Sequence, residues 1–154
     1  MNYRLQKIIS GGQTGADRAG LDAAKALGIS TGGTAPKGWR ICLPDGSDGS
    51  DPSLLDFGLV EHESYNYRPR TIKNVADADA TVWFGFEGSP GGKVTISTSR
   101  KLRKFLIVNP NAQELYRWTS NNQITTLNVA GNRLSDQNPD IYQLTYQTII
   151  EAFS

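Results

Sequence analysis

Apolar residues along this 154-residue chain fall into short continuous runs, separated by stretches with helical spacing. Leu5 to Ile9 reads as a buried strand. From Ala16 to Leu27, residues Ala16, Gly20, Ala23 and Leu27 share one helical face, with Asp17, Asp22 and Lys25 off it. That face is small enough to pack closely on a sheet, and Gly28 suits the helix end. A short strand near Ser30 to Thr34 should follow. Ala80 to Phe86 is a near-continuous apolar run, as in a central strand covered on both faces. Phe105 to Val108 reads as another buried strand, and Ile124 to Ala130 as the last. Between these runs, Arg70 to Ala76 and Lys93 to Arg103 read as helices. Asn109-Pro110 and Asn138-Pro139 each read as an N-cap followed by proline, opening helices that run to about Thr119 and Phe153.

Strands alternating with helices predict a single α/β domain over residues 1–154. Its core would be a Rossmann-like, doubly wound, mostly parallel sheet of five strands in the order 2-1-3-4-5, with helices on both faces. Regularity fades from Ala35 to about Tyr67, where prolines alternate with glycines. Such a stretch is either a functional lid or a solvated insertion. The final helix, Asp140 to Phe153, is apolar on more than one side, which predicts a role in a homo-oligomer interface.

Two glycine-rich turns carry the candidate chemistry. Gly11-Gly12-Gln13-Thr14-Gly15 lies between the first strand and its helix, with Asp17 and Arg18 in the first helical turn. A helix start preceded by such a turn suits a phosphate or other anion. Glu87-Gly88-Ser89-Pro90-Gly91-Gly92 is a second turn of the same kind. It runs into Lys93 and Thr95, where a cation opposes the helix dipole unless an anion is bound. The strand order above brings both turns to one crevice, so the predicted site lies between residues 11–17 and 88–95. Arg70 and Asn74 share a helix face, with Thr71 beside them. Lys37, next to Trp39 and Arg40, sits in the irregular stretch. Neither turn is a dinucleotide fingerprint, because the glycines lack its alternate spacing. The second turn is not a triphosphatase P-loop, because Val94 stands where a magnesium-binding hydroxyl is required.

Composition narrows the function classes. Sixteen basic and fifteen acidic residues leave a net charge of +1, which argues against non-specific nucleic-acid binding. One cysteine, Cys42, and one histidine, His62, cannot build a zinc site, and no directly bound metal is expected. A single cysteine also forms no intrachain disulfide and fits a reducing, cytoplasmic location. No apolar run approaches the roughly 20 residues of a membrane span.

The run from Gly11 to Arg18 with Leu21-Asp22, then Pro36-Lys37-Gly38, Arg70-Thr71, Asn74-Val75, Asp79 and Gly91-Gly92, resembles one bacterial family. It is the molybdenum carrier family, the circularly permuted YpsA-like branch of the SLOG superfamily. The resemblance covers most of the chain in order. It implies a Rossmann-like fold related to the lysine-decarboxylase-like (LOG) proteins. It also implies a small phosphate-bearing ligand, either a nucleotide or molybdenum cofactor (molybdopterin), and a homo-oligomer. This chain departs from the family at Lys93, where threonine is usual, and at Trp39-Arg40-Ile41-Cys42. LOG relatives that hydrolyse nucleoside monophosphates carry a catalytic glutamate after their Pro-Gly-Gly motif. Here no acid follows Gly92 until Glu114, which favours a binding or carrier protein over a phosphoribohydrolase. A nucleotide-sensing domain is a third reading.

Overall fold

The computed structural model describes residues 2–154. Along them run β1 (Lys7–Ile9), α1 (Ala16–Leu27), β2 (Ser30–Ala35), β3 (Arg40–Cys42), β4 (Asp48–Ser50), β5 (Leu59–Glu61) and α2 (Tyr67–Asp77). There follow β6 (Ala80–Phe84), α3 (Pro90–Lys101), β7 (Phe105–Val108), α4 (Ala112–Asn121), β8 (Thr126–Gly131) and α5 (Ile141–Phe153). Six strands form one parallel sheet in the order β5-β2-β1-β8-β6-β7, and β3 and β4 form a separate antiparallel hairpin.

The placement of the helices follows from the right-handed crossover rule. The connections β1–α1–β2 and β7–α4–β8 step along the sheet in one direction, so α1 and α4 cover the same face. Those through α2 and α3 step in the opposite direction and cover the other. The packing agrees, because α5 lies between α1 and α4 while α2 packs on α3. Strand residues alternate accordingly. Ile8, Val82, Phe84, Leu127 and Val129 face α1, α4 and α5 and fill the main core with Leu115, Ile141 and Ile149. Thr81, Trp83 and Asn128 face α2 and α3. The small face of α1 has the expected effect, because a Cβ on Gly20 would stand 2.7 Å from the Val129 side chain. Only a glycine allows that approach.

The fold class is the one predicted, but the strand order is not. The last strand, β8, inserts between β1 and β6 and pairs with both. Apolar runs identify strands without naming their neighbours. β8 is central because both its faces are used: Leu127 and Val129 enter the core, and Asn128 donates from Nδ2 to Thr81 Oγ1 at 3.2 Å. β7, read as buried, is an edge strand with Phe105 half exposed.

The irregular stretch is folded and supplies the sixth strand. Leu43-Pro44-Asp45-Gly46 closes the β3–β4 hairpin, with Gly46 N–H donating to Leu43 O at 2.8 Å. Asp51 caps a 3-10 turn over Pro52–Phe57 by accepting from Ser53 N–H. β5 then pairs with β2, and Leu54, Phe57 and Leu59 form a second core cluster with Leu21 and Ala35.

Four helix starts move from their predicted places. α2 begins at Tyr67, and α3 begins at Pro90 behind the Ser89 cap. α4 is opened by a reciprocal Asn111–Glu114 capping box. α5 begins after Asp140. Asn109 instead accepts from Gly85 N–H and donates to Gly85 O. The apolar pattern of α5 has an explanation within the chain. Ile141, Ile149 and Ala152 are buried, leaving Leu144 as its exposed large apolar side chain. No helix among the described residues is long and apolar enough to cross a membrane.

Asp79 ties the starts of β6 and β8 together. Its carboxylate accepts from Thr125 Oγ1 at 2.7 Å, Thr126 N–H at 2.9 Å and Thr125 N–H at 3.1 Å. The Thr125 hydroxyl, first among these donors, holds the Asp79 carboxyl below its ordinary value. A depressed carboxyl stabilises the fold above its unfolded pKa and loses that contribution as pH falls through the folded value. Asp79→Ala is therefore expected to cost about 1 kcal/mol near neutral pH, with exposure limiting the effect. Urea unfolding should show the difference from wild type shrinking below about pH 4. An unchanged difference down to pH 2 would contradict this account.

Candidate functional site

Three loops leave the C-terminal ends of β1, β6 and β8 and meet over the sheet. The helix after β1 turns to one face and the helix after β6 to the other, which opens a crevice between them. An inner compartment of about 50 Å³ is lined by Gly11, Gln13, Asp17, Arg70, Thr71, Asn74, Trp83, Gly91, Thr95, Asn128, Ala130 and Gly131. It adjoins an outer cavity of about 500 Å³. The two share Gln13, Arg70, Thr71, Trp83, Gly91 and Gly131. The outer walls add Cys42, Tyr67, Arg68, Ser89, Pro90, Val94, Asn132, Arg133, Ser135, Gln137 and Asn138. No acidic residue is among them.

The first glycine turn is closed from within. Gly12 N–H donates to Ser10 Oγ, Thr14 N–H to Gln13 Oε1, and Ala16 N–H to Asn132 O. Gln13 N–H donates to Asp17 Oδ2 at 3.2 Å, and Arg70 Nη1 reaches the same oxygen at 3.2 Å. Asp17 thus brings its own negative charge to the start of α1. Burial pushes its carboxyl above the ordinary value. Arg70 and the N–H groups of Gln13 and Gly11 oppose that push.

Gly12 has φ +74°, and a Cβ there would lie 2.6 Å from Leu54, so this glycine faces the second core cluster rather than the crevice. Thr14 donates from Oγ1 to Cys42 O at 2.8 Å, and Gln13 Oε1 accepts from Cys42 N–H. Both residues fasten the β3–β4 hairpin to the turn. Gly15 lies against the backbone of Asn132 to Leu134. The second turn is braced by Asn132, whose side chain bonds both backbone polar groups of Phe86 and the Ser89 hydroxyl.

Gly11, Gln13, Asp17, Arg70, Thr71, Asn74, Gly91 and Thr95 converge on the crevice as expected. The other predicted site residues lie elsewhere. Arg18 pairs with Asp22 at 3.2 Å and Asp51 at 2.8 Å, and stacks over Phe57. Lys37 is exposed outside both compartments. Gly88 sits against the Phe86 ring, and Gly92 against the Glu87 backbone. Lys93 is exposed and lines neither compartment. The reason is helical phase: α3 starts at Pro90, and at about 100° per residue Lys93 points some 200° from Gly91. Val94 and Thr95 are the residues that face inward.

Sequence reasoning missed Tyr67, Arg68, Trp83, Asn128, Asn132 and Arg133. The first two became visible only when α2 began three residues earlier. Asn128, a lone amide in an apolar strand, was a signal available in the sequence. The β8–α5 loop gave none. Two buried polar atoms on the cavity wall, Tyr67 Oη and Arg70 Nε, have no hydrogen-bond partner within the chain.

A family model described as the circularly permutated YpsA SLOG family matches residues 8–153. The crystal structure of a "Putative molybdenum carrier protein" from Syntrophus aciditrophicus SB is 33% identical, with a TM-score of 0.84. That match covers 99% of this chain and 97% of the other. A second match, to (E)-4-hydroxy-3-methyl-but-2-enyl diphosphate reductase, is 11% identical with a TM-score of 0.41. It covers 96% of this chain and 59% of that one. No curated protein matches the chain.

Asn74 lines the inner compartment, but its amide is committed to the fold. It accepts from Thr34 N–H and donates to Thr34 O, each at 2.9 Å, pinning α2 to β2. Asn74→Ala is expected to destabilise the protein by about 2–3 kcal/mol, because both backbone groups of Thr34 lose a buried partner. Denaturant unfolding measures this, and a loss below about 0.5 kcal/mol would remove the structural role.

Proposed function

The chain belongs to the circularly permutated YpsA SLOG family, and from that premise we propose that it is a binding protein whose cleft holds a phosphate-bearing, nucleotide-like ligand. As a carrier, it would bring a molybdenum cofactor such as molybdopterin. The observation that carries this reading is that the outer cavity has several basic side chains in its lining and no acidic one. Arg68, Arg70 and Arg133 add three guanidinium groups, against the single carboxylate of Asp17 in the inner compartment. Guanidinium groups bind phosphate with two parallel, charge-assisted hydrogen bonds. Trp83, Tyr67 and Val94 supply apolar wall for a ring. A cavity of about 500 Å³ is within the range of small-molecule and cofactor sites.

The donors present fit the organic, anionic part of such a cofactor. Among the described residues no three metal-binding side chains cluster. Molybdenum would therefore travel as cargo on the cofactor, while the chain's arginines hold the phosphate and its aromatic residues flank the ring. The same residues support binding over hydrolysis of a glycosidic bond. Glu87 is exposed and outside both compartments, and Asp17 is committed to Arg70 and Gln13 N–H.

Native mass spectrometry of the purified protein should find a phosphate-bearing small molecule retained. In calorimetric titration with AMP, the double variant Arg68→Ala/Arg133→Ala should bind about 10- to 150-fold more weakly than wild type. Lys93→Ala should bind as wild type does. AMP should be recovered intact, without release of ribose 5-phosphate. Equal affinities of wild type and the double-arginine variant would overturn the reading.

A further inference from the structure

The inner and outer compartments differ in hydrogen-bonding character, and that difference orients the ligand. The N–H groups of the first glycine turn, from Gly12 to Thr14, already donate within the chain. The start of α1, which otherwise attracts an anion, is occupied by the Asp17 carboxylate. Arg70 is the inner compartment's guanidinium, and Asp17 balances its charge at 3.2 Å. Asn128 donates one amide N–H to Thr81 Oγ1, and its side-chain carbonyl has no partner within the chain. The inner end therefore holds two acceptors, the Asp17 carboxylate and the Asn128 amide oxygen, beside the donors of Arg70 and Gln13. A phosphate placed there would face a buried carboxylate at close range, where low dielectric makes like-charge repulsion strong. The outer cavity has the opposite character, with Arg68 and Arg133 and no acid.

We infer that the ligand lies with the hydrogen-bond-donating edge of an uncharged nitrogen heterocycle against Asp17 and Asn128, and with its phosphate against Arg68 and Arg133. This inference rests on the proposed cleft and adds to it the orientation and the chemical class of the ring. An edge with two adjacent N–H donors matches two acceptors. Guanine has such an edge, with its ring N–H beside its amino group. The adenine edge places an acceptor beside its amino group, which leaves one of the two protein acceptors unpaired and desolvated. A site built to hydrogen-bond a ligand discriminates strongly against an analogue lacking the matching group.

The test is calorimetric titration of ligand-free protein with GMP, AMP and inorganic phosphate. Wild type should bind GMP at least about tenfold more tightly than AMP, and phosphate weakly. Asp17→Asn should erase the GMP preference, bringing the GMP and AMP affinities within about threefold of each other. Asn128→Ala, which leaves the Asp17–Arg70 pair intact, should reduce the same preference and serves if Asp17→Asn does not fold. Arg133→Ala should weaken GMP and AMP alike and preserve their ratio. Equal binding of GMP and AMP by wild type would overturn the proposed orientation while leaving the cleft as a phosphate-ligand site. Tighter binding of all three probes by Asp17→Asn would do the same, by assigning the phosphate to the first glycine turn. Failure of every nucleotide to bind would instead overturn the reading of the cleft, and this inference with it.

Discussion

The ionic contact between Asp17 and Arg70 is the constraint on which the site depends. It joins the first turn of α1 to α2, two helices on opposite faces of the sheet. It also closes the glycine turn, because the same carboxylate oxygen accepts Gln13 N–H. A buried pair of this kind adds little to stability, since removing both charges from water offsets their attraction. Its value here is positional. Arg70 is held against Gly11, where no side chain could be accommodated, and its buried Nε has no partner in the chain.

The two faces of the sheet divide the work of the molecule. Toward α1, α4 and α5 the strands present aliphatic residues and Phe84, and most of the hydrophobic free energy of folding resides there. Toward α2 and α3 they present Thr81, Trp83 and Asn128, and the buried helical residues opposite include Asn74, Thr95, Thr98 and Ser99. A packed layer this polar is a poor source of stability but a good lining for a cleft. The stable face fixes the strands, and the polar face can then leave space unfilled at its C-terminal edge. Proteins depart from local rules at functional sites in this way, with the remainder of the fold compensating.

The parts of this arrangement that were legible in sequence are those set by local chemistry. The apolar run before Gly11, the small face of α1 and the Gly28 stop each follow from residues within one element. The convergence of the two glycine turns was also legible, although the strand order inferred for it was wrong. It survives because all six strands of the main sheet are parallel, so every loop after a strand reaches the same edge. What escaped was non-local. Nothing in the spacing of Ile124 to Ala130 says that β8 lies between β1 and β6. Pro44-Asp45-Gly46 was a readable turn signal, yet the surrounding prolines and glycines masked the hairpin. Lys93 lies outside the cleft because α3 begins three residues earlier than its pattern suggested, enough to turn the side chain to solvent.

Asn132 has a consequence for motion. Its amide side chain holds the Phe86 to Ser89 segment, its carbonyl accepts Ala16 N–H, and its own N–H donates to Phe84 O. One residue thus couples the rims above β1, β6 and β8, so these three walls must move together as a single body. The hairpin side is different. It is fastened by a few discrete latches, Gln13 and Thr14 on Cys42, Arg18 on Asp51, and Arg133 on Leu43 O. Widening the cleft on the hairpin side would therefore require those contacts to break, whereas the glycine turns are held together through Asn132.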